Sequence, residues 1–204
     1  SNPECPINSG EPDRPEDAYG RTKKAAEQAL WEVAQRSGLE VVVLRPPLVY
    51  GPGIKGNMKK LFEIVAKGWP LPLGGLDNKR DLIFVGNLVE ALLATMAMPV
   101  SQCEPYYVRD GESFSTSDLI LRIGDVLGKP ARLIWVPEVV LNLAGRFTGK
   151  TKIIKRLTGN LQIDDTTFRT HSGWKPSTST REGLDQTAAW FKSHQACVSV
   201  EGPE

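Results

Sequence analysis

Tyr19 and Lys23 stand four residues apart, where a Pro-rich stretch gives way to a helical pattern. That spacing sets two side chains on one face of a helix. A phenol ordinarily titrates at about 10, so a tyrosine acting as a base at neutral pH needs a cation beside it, and Lys23 supplies one. At 100° per residue, Lys23, Ala26, Leu30, Val33 and Ala34 share with Tyr19 a stripe about 100° wide, the width of a core-facing helix face. The pair is therefore expected to point inward, where a lysine needs a partner or a task because an unpaired buried ammonium is costly. Chance supplies roughly 0.25 Tyr-x-x-x-Lys pairs in a chain of this composition, so the surrounding elements decide what the pair means.

Those elements follow in order. Gly38 ends the helical pattern, and Val41-Val42-Val43-Leu44-Arg45 reads as a short buried strand. It runs into Pro46-Pro47-Leu48-Val49-Tyr50-Gly51-Pro52-Gly53. Further on comes Arg80-Asp81-Leu82-Ile83-Phe84-Val85-Gly86-Asn87-Leu88. Three such motifs in this order resemble the C-terminal half of an extended short-chain dehydrogenase/reductase. Within that superfamily the chain is similar to the NAD-dependent epimerase/dehydratase group, in particular to the UDP-glucose 4-epimerase-like members of bacterial polysaccharide synthesis. The likeness runs from about Glu11 to the region of Trp190.

The resemblance implies an α/β fold: the C-terminal part of a Rossmann-type parallel sheet plus a small α/β substrate-binding subdomain. Residues 1–17 are expected as an extended lead-in, 18–54 as a remnant of the dinucleotide-binding domain, 55–195 as mainly the substrate-binding subdomain, and 196–204 as a flexible tail. It implies NAD as cofactor, Tyr19 as acid/base and Lys23 as its electrostatic partner, with both beside the nicotinamide together with Pro46 and Pro47. The substrate implied is a UDP-sugar. Relatives often carry Tyr-Phe-Asn where this chain has Pro46-Pro47-Leu48, which removes a side-chain amide from the substrate. Arg80 is the candidate for gripping the substrate pyrophosphate, since a planar guanidinium makes two charge-assisted bonds to phosphate oxygens; pairing with Asp81 at the surface is the alternative. Asn57, at a helix start, is either a second donor to that pyrophosphate or a plain cap. Arg156 occupies the place of a nucleotide-contacting arginine. Gly51-Pro52-Gly53 and Gly74-Gly75 are read as turn signals. The phosphate-cradling glycine-rich turn of the fold, and with it the N-terminal half, is expected to be missing, leaving a truncated and by itself inactive chain. Net oxidoreduction, of the reductase or hydroxysteroid-dehydrogenase kind, and a non-catalytic binding module are the alternatives to 4-epimerisation.

Composition narrows the classes. A net charge of +1 across 204 residues gives no nucleic-acid footprint. Three cysteines without a Cys-x-x-Cys spacing fit a reducing cytoplasm, and two histidines do not make a metal site. No stretch reaches the roughly 18 to 20 apolar residues of a membrane span. Helices are expected from Asn57 to Ala66, from Asn87 (capped with Glu90) to before Pro99, from Ser115–Asp118 to Gly128, from Pro137 to Phe147, near Ile153, and from Thr180 to Phe191. Strands are expected at 106–108 and 133–136, and Asp164-Asp165 reads as a cap before Thr166. The apolar positions of 139–147 suit either the core or a homodimer contact.

Overall fold

The computed structural model describes Ile7 and residues 18–98, 105–149 and 151–200, without the side chains of Tyr19, Lys152 and 196–200. The expected lead-in therefore lies outside the described residues apart from Ile7, whose backbone pairs with Gln162 and Asp164. The chain begins with α1 (Ala18–Ser37), β1 (Leu44–Arg45), β2 (Leu48–Tyr50) and α2 (Gly56–Ala66). It continues through β3 (Arg80–Phe84), α3 (Val85–Thr95), β4 (Tyr106–Tyr107), β5 (Ser113–Phe114) and α4 (Thr116–Leu127). The last four helices are α5 (Glu138–Phe147), α6 (Thr151–Thr158), α7 (Thr166–Ser172) and α8 (Thr180–Val200).

The sheet is parallel where the chain crosses over through helices. β1 pairs with β4 in parallel, β2 pairs with β3 in parallel, and β5 adds to β3 antiparallel. Side chains alternate across β2 and β3, and the alternation sorts them into two cores. Leu48, Tyr50, Leu82 and Phe84 face a cluster built by α2, α4 and α8, with Phe62, Ile120, Leu184 and Phe191 at its centre. Val49 and Ile83 face the other, made with Ala91 of α3, Tyr106 of β4, Phe168 of α7 and Trp174. At Gly51 (φ +145°) the chain leaves β2, and a Cβ there would lie 2.4 Å from Val85 Cγ1. Only glycine both adopts that backbone and lets the start of α3 come so close.

Local signals explain most element ends. Ser115 and Asp118 form a reciprocal capping box at α4, and Gly128 closes it in the left-handed region at φ 69°. Several expectations require correction. α3 starts at Val85, two residues before Asn87, and has no side-chain cap; Asn87 is fully buried and bonded elsewhere, so its fit to a capping pattern was coincidental. Residues 133–136 form one bridge, Leu71 to Leu133, because the partner Leu71 stands between Pro70 and Pro72, which have no N–H to extend a ladder. The 41–45 run is strand only at Leu44–Arg45 and is half-buried, since among the described residues β1 has one neighbour, β4. The backbone of α8 continues as helix to Val200, past the expected start of a tail at 196.

Candidate active site

Tyr19 and Lys23 both lie in α1, one turn apart; the described part of Tyr19 is its helical backbone. The covered face is turned by roughly 90° from the expected inward stripe, with Ala34 common to both. Lys23 is exposed, and Leu30 and Val33 on its stripe are 46% and 51% exposed. The covered face is instead Lys24, Glu27, Trp31 and Ala34, also at helical spacing. The physical reason is an ion pair. Arg45 of β1 donates from Nε to Glu27 Oε1 (3.1 Å) and from Nη2 to Glu27 Oε2 (2.5 Å), a bidentate contact between half-buried groups. The same guanidinium donates from Nη1 to the Tyr107 phenol oxygen of β4 at 3.1 Å. One side chain thus fixes the rotation of α1 and joins it to two strands. Pro46 and Pro47 follow Arg45 directly, with Pro46 exposed and Pro47 half-buried.

Arg80 and Arg156 come together. Arg80, at the start of β3, donates from Nη1 to the Arg156 carbonyl, and burial lowers the Arg80 guanidinium from its ordinary value. Asp81, next to it and fully buried, makes the approach possible. Its carboxylate accepts from the Ser113 hydroxyl (2.6 Å), the Ile163 N–H (2.7 Å) and Arg109 Nη1 (3.2 Å). The Asp81 N–H also donates to Leu161 O at 2.9 Å, so the strand holds the segment behind α6. The alternative reading, a surface Arg80 paired with Asp81, does not hold: Arg80 is half-buried and the Asp81 carboxylate pairs with Arg109. The cap expected of Asp164-Asp165 is made by Asp164, which accepts from the Thr166 N–H (2.9 Å), whereas Asp165 has no capping bond and accepts from Arg109 Nε (3.4 Å) and Arg169 Nε (2.6 Å). Asn57 is exposed in the first turn of α2. Among the described contacts, none joins it to Arg80 or Arg156.

A third group escaped sequence reading. Asp110 accepts from Tyr50 (2.8 Å), from Asn87 Nδ2 (2.7 Å) and from the Phe84 N–H (2.9 Å), where β2, β3 and α3 converge. Asn87 also bridges to Thr178, donating to its O (2.9 Å) and accepting from its N (3.0 Å). Burial raises the Asp110 carboxyl despite these donors. Burial, then the Asp110 charge, raises the Tyr50 phenol well above the usual range, so it stays a donor. Tyr50 and Asn87 stood in the motifs; Asp110 is 23 residues from Asn87, with no local pattern to mark it.

The backbone places Tyr19 and Lys23 one turn apart on α1, the helix that Glu27 joins to Arg45 of the parallel strand β1. Gly51, Gly53 and Gly56 do carry Gly-x-Gly-x-x-Gly spacing between β2 and α2, which the reading as turn signals passed over. They do not fit a phosphate cradle. Pro52 has no N–H, the Ile54 N–H is used by Gly51 O (3.1 Å), and a Cβ at Gly56 would meet nothing within 4 Å, so no close helix packing needs that glycine. Among the described residues no group of His, Cys, Asp and Glu suits a metal, and no helix is long and apolar enough to cross a membrane.

Residues 2–108 match the family described as NAD dependent epimerase/dehydratase. The UDP-glucose 4-epimerase of Vibrio cholerae is 39% identical over 188 residues, 92% of this chain and 57% of that protein. UDP-glucuronic acid 4-epimerase from Bacillus cereus, solved with NAD, superposes with a TM-score of 0.74 at 18% identity, over 93% of this chain and 57% of that one. UDP-glucose 4-epimerase from Thermotoga maritima, solved with UDP-glucose, gives 0.71 at 22%, over 93% and 58%. The last two likenesses establish the α/β fold. The chain thus spans a little over half the length of each of these proteins.

Proposed function

This chain belongs to the NAD dependent epimerase/dehydratase family, and from that premise we propose that it is the substrate-side part of a sugar-nucleotide 4-epimerase acting on a UDP-hexose. The supporting observation is that Tyr19 and Lys23, one turn apart on α1, are tied by the Glu27–Arg45 pair to the strand that ends in Pro46-Pro47. In this reading Tyr19 takes the proton from the sugar 4-hydroxyl and returns it. Lys23 favours the phenolate through its charge. Pro46 and Pro47 lie beside the nicotinamide. Arg80 and Arg156 hold the substrate diphosphate, with Asn57 as a further donor at the N-terminus of α2. NAD held beside Tyr19, Lys23, Pro46 and Pro47 would supply a reversible hydride acceptor for the carbon that bears this hydroxyl and would not be consumed. Residues 18–54 serve the cofactor side and 55–195 the substrate side. The dinucleotide phosphates are assigned to residues outside these 204, so the isolated chain is expected to be inactive.

The test is interconversion of UDP-glucose and UDP-galactose by the protein extended to the full length of its relatives. Tyr19→Phe should lower kcat by about 10²- to 10⁴-fold, the usual worth of a positioned acid/base, while the UDP-sugar Kd stays within about twofold. Undiminished turnover by Tyr19→Phe contradicts the assignment. NADH accumulating one-for-one with substrate would replace epimerisation by net oxidoreduction.

A further inference from the structure

α5 buries one face and leaves the other uncovered. Leu141 is buried in the larger core, and Gly145 lies so close to α6 that a Cβ there would sit 2.8 Å from Ile154 Cγ1. On the opposite side Val139 is 77% exposed, Phe147 84%, and Val140 and Leu143 each 52%. At 100° per residue these four and the exposed Arg146 fall within an arc about 120° wide, so they make one continuous face. Trp135, just before the helix, is 70% exposed. An apolar face of this kind with aromatic groups at its margin is expensive to leave in water.

Charge indicates what covers it. Apart from Arg156, placed at the substrate diphosphate above, residues 126–163 hold six Lys or Arg against the single acid Glu138, a net +5, while the chain outside 126–163 has eighteen basic against twenty-three acidic residues. The overall +1 hides this division. Among the other exposed apolar side chains, Val89, Leu92 and Leu93 of α3 and Met96 just after it accompany only the acid Glu90, and these and Leu30 and Val33 of α1 all lie outside the basic stretch. An apolar helix face set in a basic segment, with Trp and Phe beside it, is the pattern that seats on an anionic lipid surface: the apolar side chains enter the headgroup boundary and the cations meet lipid phosphates. We propose that the α5 face is a docking site for an anionic phospholipid bilayer. The claim is independent of the epimerase reading.

The experiment is co-sedimentation of the 204-residue chain with sucrose-loaded vesicles, either of phosphatidylcholine alone or of equal phosphatidylcholine and phosphatidylglycerol. At low salt the chain should sediment with the mixed vesicles at least about tenfold more tightly than with the neutral ones, and lose most of that binding near 1 M salt, where screening reaches about 3 Å. The double variant Val139→Ser, Phe147→Ser changes only side chains already in water, so it should keep its circular dichroism while binding at least about tenfold more weakly. Equal binding by variant and parent overturns the proposal, as does absence of binding. A lipid-free dimer that Phe147→Ser dissociates overturns it too, by making the face a contact between copies. The full-length protein is run alongside, and failure to bind there would mean that its own chain covers α5, which also contradicts the claim.

Discussion

Asp81 joins β3 to Arg109, β5 and the segment behind α6. Its buried carboxylate answers Arg109, Ser113 and the Ile163 N–H, so Asp81→Ala leaves the Ser113 and Ile163 donors without this acceptor and Arg109 with Asp165 as its remaining carboxylate. We expect a loss of about 3 to 5 kcal/mol, read as the shift in urea midpoint at unchanged slope; a change under about 1 kcal/mol contradicts the clamp. Arg156→Ala should differ in kind, raising KM for the UDP-sugar by at least about tenfold with folding unaltered, as loss of a charge-assisted phosphate contact does. Tyr50 offers a pH test. Its phenol titrates above its unfolded value, so its contribution to stability is complete below about 10 and is lost as pH rises toward the folded value. Absorbance at alkaline pH should show one tyrosine ionising only as the chain unfolds, and Tyr50→Phe should remove that step; smooth titration of all tyrosines in the folded chain contradicts the burial of this group. The sequence made Tyr50, Asp81 and Asn87 visible as motif members but hid their roles, because each acts through a partner distant along the chain. The glycines at 51, 53 and 56 show the reverse: matching spacing without matching chemistry.

At the scale of elements, the anchoring of α1 is the testable feature. Its described covered face has few apolar groups, so the bidentate Glu27–Arg45 pair and the Arg45–Tyr107 bond carry much of its docking. Glu27→Gln should cost roughly 1 to 3 kcal/mol, since it weakens a half-buried charged pair without removing the acceptor. Amides of α1 should then exchange markedly faster while those of α4 do not; equal exchange in both helices contradicts a local anchor. Helices were well marked in the sequence where the capping signal was local, as at Ser115, Asp118 and Gly128. They were misjudged where a tertiary partner decided: Asn87 imitated a cap, and the α1 stripe had the right period and the wrong face, because periodicity gives the angle between residues and not the direction of the core. Strands at 41–45 and 133–136 came out shorter than their β-branched content suggested, since ladder length depends on the partner.

For the whole molecule, the two cores on opposite faces of β2 and β3 mark an α/β sheet covered on both sides. The motif order in the sequence was enough to anticipate that class and its family, because each motif spans a strand exit or a helix start. The charge division between 126–163 and the rest was equally present in the sequence, but its meaning needed the exposed α5 face. The central claim is that the sugar's C4 hydrogen leaves and returns within one site while Tyr19 handles the hydroxyl proton. The most direct measurement is proton NMR of UDP-glucose deuterated at C4, incubated in ordinary water with the full-length protein and a catalytic amount of NAD. The account predicts UDP-galactose that keeps its deuterium at C4 without accumulation of NADH; product that has exchanged it for solvent hydrogen, or reduced cofactor formed in proportion to substrate, would contradict it.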